Sequence, residues 1–178
     1  DEANQDLPLS DAHGLRDNVQ KLKRLARVDA ADPTPLRLFI TGPAGAGKSK
    51  LLDEVYSYCK QFSNNIGHNF TKNTIRRTAL TGSAACEIGG NTTASEYLLN
   101  SKSERSFGKM QEQFKDTRLN IVDEVSFADY NTVLSRLSYV LQRFTGCTRF
   151  TYGNTAICFL GDFRQLEPVG NNAAYKHV

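Results

Sequence analysis

The 178 residues predict an α/β fold with a central, mainly parallel sheet flanked by helices. Three observations carry that expectation. Apolar runs of strand length, at Leu36 to Ile40, Leu119 to Val122 and Ala156 to Leu160, alternate with stretches of helical periodicity. A glycine-rich segment, Thr41 to Ser49, lies where the first apolar run stops and a helical pattern starts. Polar residues gather at strand ends, Asp123-Glu124 after one run and Gly161-Asp162 after another.

A chain of this length suits one domain with a substantial core. The hydrophobic fraction of 39% and the charged fraction of 23% are ordinary for a globular protein. A net charge of +3 permits nucleic-acid contact without demanding it. Cys59, Cys86, Cys147 and Cys158 are far apart and form no C-x-x-C pair, which argues against a metal site or a disulfide framework. No apolar run reaches membrane-spanning length, and the acidic start is unlike a signal peptide. A soluble intracellular protein with no membrane partner is expected, and the sequence leaves its oligomeric state open.

In chain order, residues 1–35 form a polar segment and an amphipathic helix ahead of the core, and 36–178 form the main domain. The helix carries Leu15, Val19, Leu22, Leu25 and Val28 on one face and Arg16, Lys21, Lys23, Arg24 and Arg27 on the other. Pro33 and Pro35 break it before the first strand, whose Leu36, Leu38, Phe39 and Ile40 look buried. Leu51, Leu52, Val55, Cys59 and Phe62 then recur at helical spacing. Thr74 to Leu80 reads as a strand, and Arg76 and Arg77 within it suggest an edge or an exposed end. Phe107, Met110 and Phe114 predict a short helix, Leu119 to Val122 a strand, Val133 to Phe144 a packing helix, and Ala156 to Leu160 the last strand.

The chemistry begins at Gly42-Pro43-Ala44-Gly45-Ala46-Gly47-Lys48-Ser49, which fits G-x-x-x-x-G-K-[ST] with strand before it and helix after it. Such a loop turns backbone N–H groups inward around phosphate oxygens, and the following helix N-terminus adds positive potential. Gly45 and Gly47 are the positions expected to need left-handed backbone. Lys48 would meet the β and γ phosphates of ATP, and Ser49 would take one place around Mg2+. An acidic pair at the end of a neighbouring strand suits the same site, with Asp123 towards the metal and Glu124 as base for the attacking water. The plain alternatives are a glycine-rich turn and an acidic strand end that caps a helix.

The order of these segments resembles the first motor domain of the PIF-type DNA helicases, the superfamily 1B group that includes Helitron relatives. Gly42 to Ser49 resembles motif I, Thr81 to Ser95 motif Ia, Ile121 to Ser126 motif II, and Gly161 to Val169 motif III. Tyr152-Gly153-Asn154, the apolar strand and Gly161-Asp162-Phe163 are similar to the family's F-G-G to G-D-F series. The resemblance implies a RecA-like P-loop NTPase three-layer fold. It also implies ATP and magnesium as cofactors, with Lys48 on the phosphates, Ser49 and Asp123 on the metal, Glu124 as base and Gln165 as γ-phosphate sensor. Thr81, Thr92 and Ser95 fall where the family touches the backbone of single-stranded DNA.

Departures from the pattern bear on selectivity. Ala94 stands where the family usually has histidine, and His13 stands in the place of an adenine-reading glutamine, with Gln5 and Gln20 as other candidates. The resemblance covers the first of two motor domains, so the 178 residues are expected to bind nucleotide and hydrolyse it slowly. Unwinding in the 5′-to-3′ direction is expected of a longer parent, nuclear or mitochondrial if its source is eukaryotic. Two rivals stand beside this reading: a P-loop ATPase or switch that acts on something other than DNA, and a helicase domain kept as an interaction module.

Overall fold

The computed structural model describes residues 35–101 and 103–164. The expected helix over Leu15 to Val28, His13, Gln5, Gln20 and the stretch from Gln165 to Val169 lie outside the described residues.

Five strands form one sheet in the order β1-β5-β4-β2-β3, with every pair parallel. They are β1 (Arg37–Thr41), β2 (Ile75–Ala79), β3 (Asn91–Thr92), β4 (Leu119–Asp123) and β5 (Ile157–Gly161). Between them run α1 (Lys48–Asn65), α2 (Gly82–Glu87), α3 (Thr93–Glu96), α4 (Glu104–Phe114) and α5 (Ser135–Thr145). Parallel neighbours need a crossover, and these helices supply it on both faces of the sheet.

The three-layer arrangement can be read residue by residue along β4 and β5. Alternate strand residues point to opposite faces. Val122 and Ile157 join a core with Tyr97, Phe107, Phe114, Leu137, Leu141 and Phe144, whereas Ile121, Cys158 and Leu160 join one with Leu52, Ala84, Ala85 and Ile88. Helix α5 therefore covers one face and α1 with α2 the other. Two buried polar side chains of the sheet, Thr78 and Asn120, are paired. Thr78 Oγ1 donates to the Ile121 carbonyl at 2.7 Å, and the Tyr97 hydroxyl donates to Asn120 Oδ1 at 3.0 Å.

Two sequence expectations change. β1 is not buried: it is the outer strand of the described sheet, and Leu36, Leu38 and Phe39 are 56%, 43% and 41% exposed. β2 is not an edge strand, since β4 pairs along its whole length and β3 pairs with Thr78 and Ala79. Its Arg76 is buried because the chain supplies partners for the charge. The guanidinium is ion-paired to Glu96, donates from Nε to Thr117 Oγ1 at 2.9 Å, and lies 5.4 Å from the centre of the Phe114 ring.

Sequence periodicity does not distinguish the opening of the fifth helical segment. A π-helical turn over Tyr130–Leu134 precedes α5, with Asp129 Oδ1 accepting from the Thr132 N–H at 2.7 Å. Gly146, at φ 72°, ends that helix. The turn Thr151–Asn154 then crosses it so closely that a Cβ on Gly153 would lie 2.4 Å from Thr145 Oγ1 and 2.5 Å from the Leu141 carbonyl oxygen.

Candidate functional site

Parallel strands place all their carboxyl ends along one edge of the sheet, and the segments that leave those ends form the site. β1 delivers the glycine-rich segment read from the sequence as a phosphate loop. Gly45 and Gly47 have φ of 75° and 86°, and a Cβ at either would have open space, so backbone conformation and not crowding calls for glycine there. Gly47 is the residue before α1, which begins with Lys48 and Ser49. The loop is closed by the Ala46 N–H donating to the Pro43 carbonyl at 3.2 Å. Lys48 Nζ lies over it, donating to the carbonyls of Gly42 at 2.7 Å and Pro43 at 3.0 Å. The ammonium is thus already folded back across the loop that Gly42, Pro43, Ala44, Gly45, Ala46 and Gly47 trace.

Asp123 is the last residue of β4 and is 7% exposed. Its Oδ1 accepts the Glu124 N–H at 2.7 Å. In the sheet, β5 stands between β4 and β1, so the strand that ends at Asp123 and the strand that leads into the loop are two strand spacings apart, about 10 Å. That gap suits a hydrated cation and a phosphate chain. Among the described residues no three His, Cys, Asp or Glu side chains converge as a metal cage. Ser49 and Asp123 offer a hydroxyl and a carboxylate, hard oxygen donors of the kind Mg2+ takes when water and phosphate complete its shell.

Glu124 has φ 60° and ψ 28°, a left-handed conformation unusual for a residue with a side chain. It is held there from both sides. Its carbonyl accepts from the Phe127 N–H at 3.0 Å, opening the short turn Val125–Phe127, in which Val125 and Ser126 are buried. Its Oε2 accepts a hydrogen bond from Thr81 Oγ1 at 2.6 Å. Thr81 in turn caps α2, its oxygen accepting from the Ala84 N–H at 3.3 Å.

Thr92 is the register partner of Ala79, and its hydroxyl oxygen accepts from the Ser95 N–H at 3.3 Å. Thr81, Thr92 and Ser95 therefore share the β2 and β3 end of the site, with Thr81 and Ser95 exposed. Glu124 sits between them and the phosphate loop. Gln165 and His13 fall outside the described residues.

Two further polar side chains lie at this edge. Asp162, 6% exposed, follows β5 as Asp123 ends β4, and its Oδ1 accepts the Arg164 N–H at 3.0 Å. An acid after an apolar strand is the signal that marks it. Ser126 packs against Gly161, where a Cβ would lie 3.0 Å from the Ser126 nitrogen, and no sequence pattern marks that contact. On the adjoining face, burial and then the Asp123 charge push the Cys158 thiol up to about 11, which keeps it protonated and unreactive near neutral pH.

Comparison with known proteins gives the family and the fold. The sequence model of the PIF1-like helicase family matches residues 25–178. This chain belongs to that family. It is 32% identical over 147 residues to the ATP-dependent DNA helicase PIF1 of Candida albicans, covering 78% of this chain and 15% of the relative. To the ATP-dependent DNA helicase RRM3 of Saccharomyces cerevisiae it is 33% identical over 150 residues, covering 79% and 20%. The chain therefore spans a fifth or less of either relative. The crystal structure of Pif1 helicase from Candida albicans matches with a TM-score of 0.54 and 26% identity, over 94% of this chain and 35% of that one. A Bacteroides Pif1 helicase in complex with ADP-AlF3 and ssDNA shares the fold, with a TM-score of 0.60 at 23% identity over 86% and 33% of the two chains. The RecA-like fold of this PIF1-like helicase domain follows from these matches and from the parallel sheet itself.

Proposed function

We propose that residues 36–178 are the ATP-binding motor domain of a 5′-to-3′ DNA helicase that couples ATP hydrolysis to movement along single-stranded DNA. The observation that carries this reading is the meeting of the Lys48–Ser49 loop end and the Asp123-Glu124 pair at one edge of the sheet. Family membership adds weight, as do the ADP-AlF3 and ssDNA bound to the Bacteroides Pif1 helicase.

In this reading the loop amides and Lys48 neutralise the β and γ phosphates, and Ser49 and Asp123 hold Mg2+ directly or through water. The ion supplies charge neutralisation on the phosphates when bound. Glu124 orients a water in line with the γ-phosphorus and accepts its proton. Gln165 is assigned the role of γ-phosphate sensor, and His13, Gln5 and Gln20 are the candidates for reading the base. Thr81, Thr92 and Ser95 touch the DNA backbone. Turnover by the 178 residues alone is slow, because an arginine supplied by a second domain contributes about a thousandfold or more in such enzymes. A P-loop ATPase that acts on something other than DNA is favoured by one residue, the exposed Ala94 in place of the usual histidine.

The test is ATP turnover with and without single-stranded DNA. Stimulation by DNA is expected, with loss of turnover in Lys48→Ala and in Glu124→Gln. Equal turnover in all three proteins overturns the assignment of both residues, and turnover indifferent to DNA selects the second reading.

A further inference from the structure

We propose that Thr81 is a positioning residue that holds Glu124 away from the nucleotide until a nucleic-acid phosphate replaces Glu124 as the acceptor of its hydroxyl hydrogen bond. The inference rests on the reading of Glu124 as base and of Thr81 as a contact to the DNA backbone, and it adds how one controls the other.

The geometry is directional. β4 lies between β5 and β2, so the phosphate loop after β1 and Thr81 after β2 are on opposite sides of Glu124. The 2.6 Å hydrogen bond from Thr81 therefore draws the carboxylate towards β2 and away from the loop. The backbone cannot follow, because Glu124 is pinned in its left-handed conformation between β4 and the buried turn Val125–Phe127. Only side-chain rotation moves the carboxylate between the two sides.

The switch follows from counting protons. A threonine hydroxyl has one hydrogen to donate. Here its oxygen accepts from the Ala84 N–H, and its hydrogen goes to Glu124. An ionised carboxylate and a phosphodiester oxygen both only accept. A phosphate that accepts from the Thr81 hydroxyl must replace Glu124 as the acceptor of its one hydrogen, so the two contacts compete. Thr81 is exposed, with the Ser83 hydroxyl 3.3 Å away, and is open to such a phosphate. DNA occupancy at the end of β2 is thereby converted into a free base beside the nucleotide, with no movement of the sheet.

The experiment measures ATP turnover without DNA and with oligothymidylate in wild type, Thr81→Val, Thr81→Asp, Thr81→Ser and Glu124→Gln. Valine has no proton to donate. Aspartate keeps an acceptor for the Ala84 N–H, so the helix cap survives while the donor is lost. In both, DNA-free turnover is expected to rise about tenfold, equivalent to about 1.4 kcal/mol, and the ratio of DNA-stimulated to DNA-free turnover in Thr81→Val to fall towards one. Serine keeps both the donor and the cap and is expected to restore the wild-type ratio, whereas aspartate keeps the cap alone, so a raised DNA-free rate in Thr81→Asp is what a merely capping role does not predict. If Glu124→Gln is inactive while Thr81→Val and Thr81→Asp keep the wild-type DNA-free rate or fall below it, the proposal alone is overturned. If Glu124→Gln turns over like wild type, the reading of the site fails and takes the proposal with it.

Discussion

Removing Glu96 tests whether the packing beneath the site is understood. Glu96 and Arg76 form an ion pair whose side chains are 15% and 2% exposed. Glu96→Ala strands the guanidinium in the interior with Thr117 Oγ1 and the Phe114 ring as its remaining partners. Among the described residues Arg76 Nη2 already has no hydrogen-bond partner, so the loss of Glu96 adds to an unsatisfied group. Breaking a buried pair on one side costs about 3–5 kcal/mol. The partial exposure of Glu96 places this case near about 3 kcal/mol.

Arg76→Met is the opposite perturbation. It removes the buried charge, keeps an apolar stem near Phe114, and leaves a carboxylate that still accepts from Asn91 Nδ2 at 2.7 Å, so about 1 kcal/mol is expected. Urea unfolding of the 178-residue chain reads the difference. With a slope near about 2 kcal/mol per molar, the midpoint falls by about 1.5 M for Glu96→Ala and about 0.5 M for Arg76→Met. The double variant is expected to be more stable than Glu96→Ala alone. A Glu96→Ala midpoint no lower than that of Arg76→Met, or costs that simply add in the double variant, refutes the reasoning.

Gly153→Ala forces a Cβ against the Leu141 carbonyl and Thr145 Oγ1 at a residue with φ 59°, and a loss of about 3 kcal/mol or more is expected by the same urea assay. Cys158 is expected to resist a thiol reagent at pH 7.5 while the exposed Cys86 reacts, checked by mass spectrometry of the labelled protein. Because burial raises the folded pKa of Cys158 above its ordinary 9.0 to about 11, the unfolded chain gives up that proton first. Its contribution to stability is full below pH 9 and is lost as pH rises towards 11, and Cys158→Ala is expected to flatten that part of the stability profile.

The parts of the site made by local chemistry were legible in the sequence. Gly45 and Gly47 take the left-handed conformations that a phosphate loop requires, and an acidic pair after an apolar run falls at a strand end. What depends on distant partners was not. Arg76 in a strand reads as exposed because the cost of burying a charge dominates until Glu96, twenty residues on, is known to meet it. Apolar Leu38 and Phe39 read as buried because periodicity reports the side chain and not the strand's place at the edge of the described sheet. The two-residue β3 and the one-turn α3 are too short to show a period. The Thr81–Glu124 hydrogen bond joins residues 43 positions apart across neighbouring strands, and only the sheet order reveals it.

Titration calorimetry of ATP with Mg2+ into the wild-type chain and into Lys48→Ala is the most direct measurement of the central claim. One site per chain is expected in wild type, with affinity at least tenfold lower in Lys48→Ala, because the ammonium's charge-assisted bonds to phosphate are lost. Absence of binding heat in the wild type, or the same affinity in both proteins, contradicts the claim that this loop holds a nucleotide.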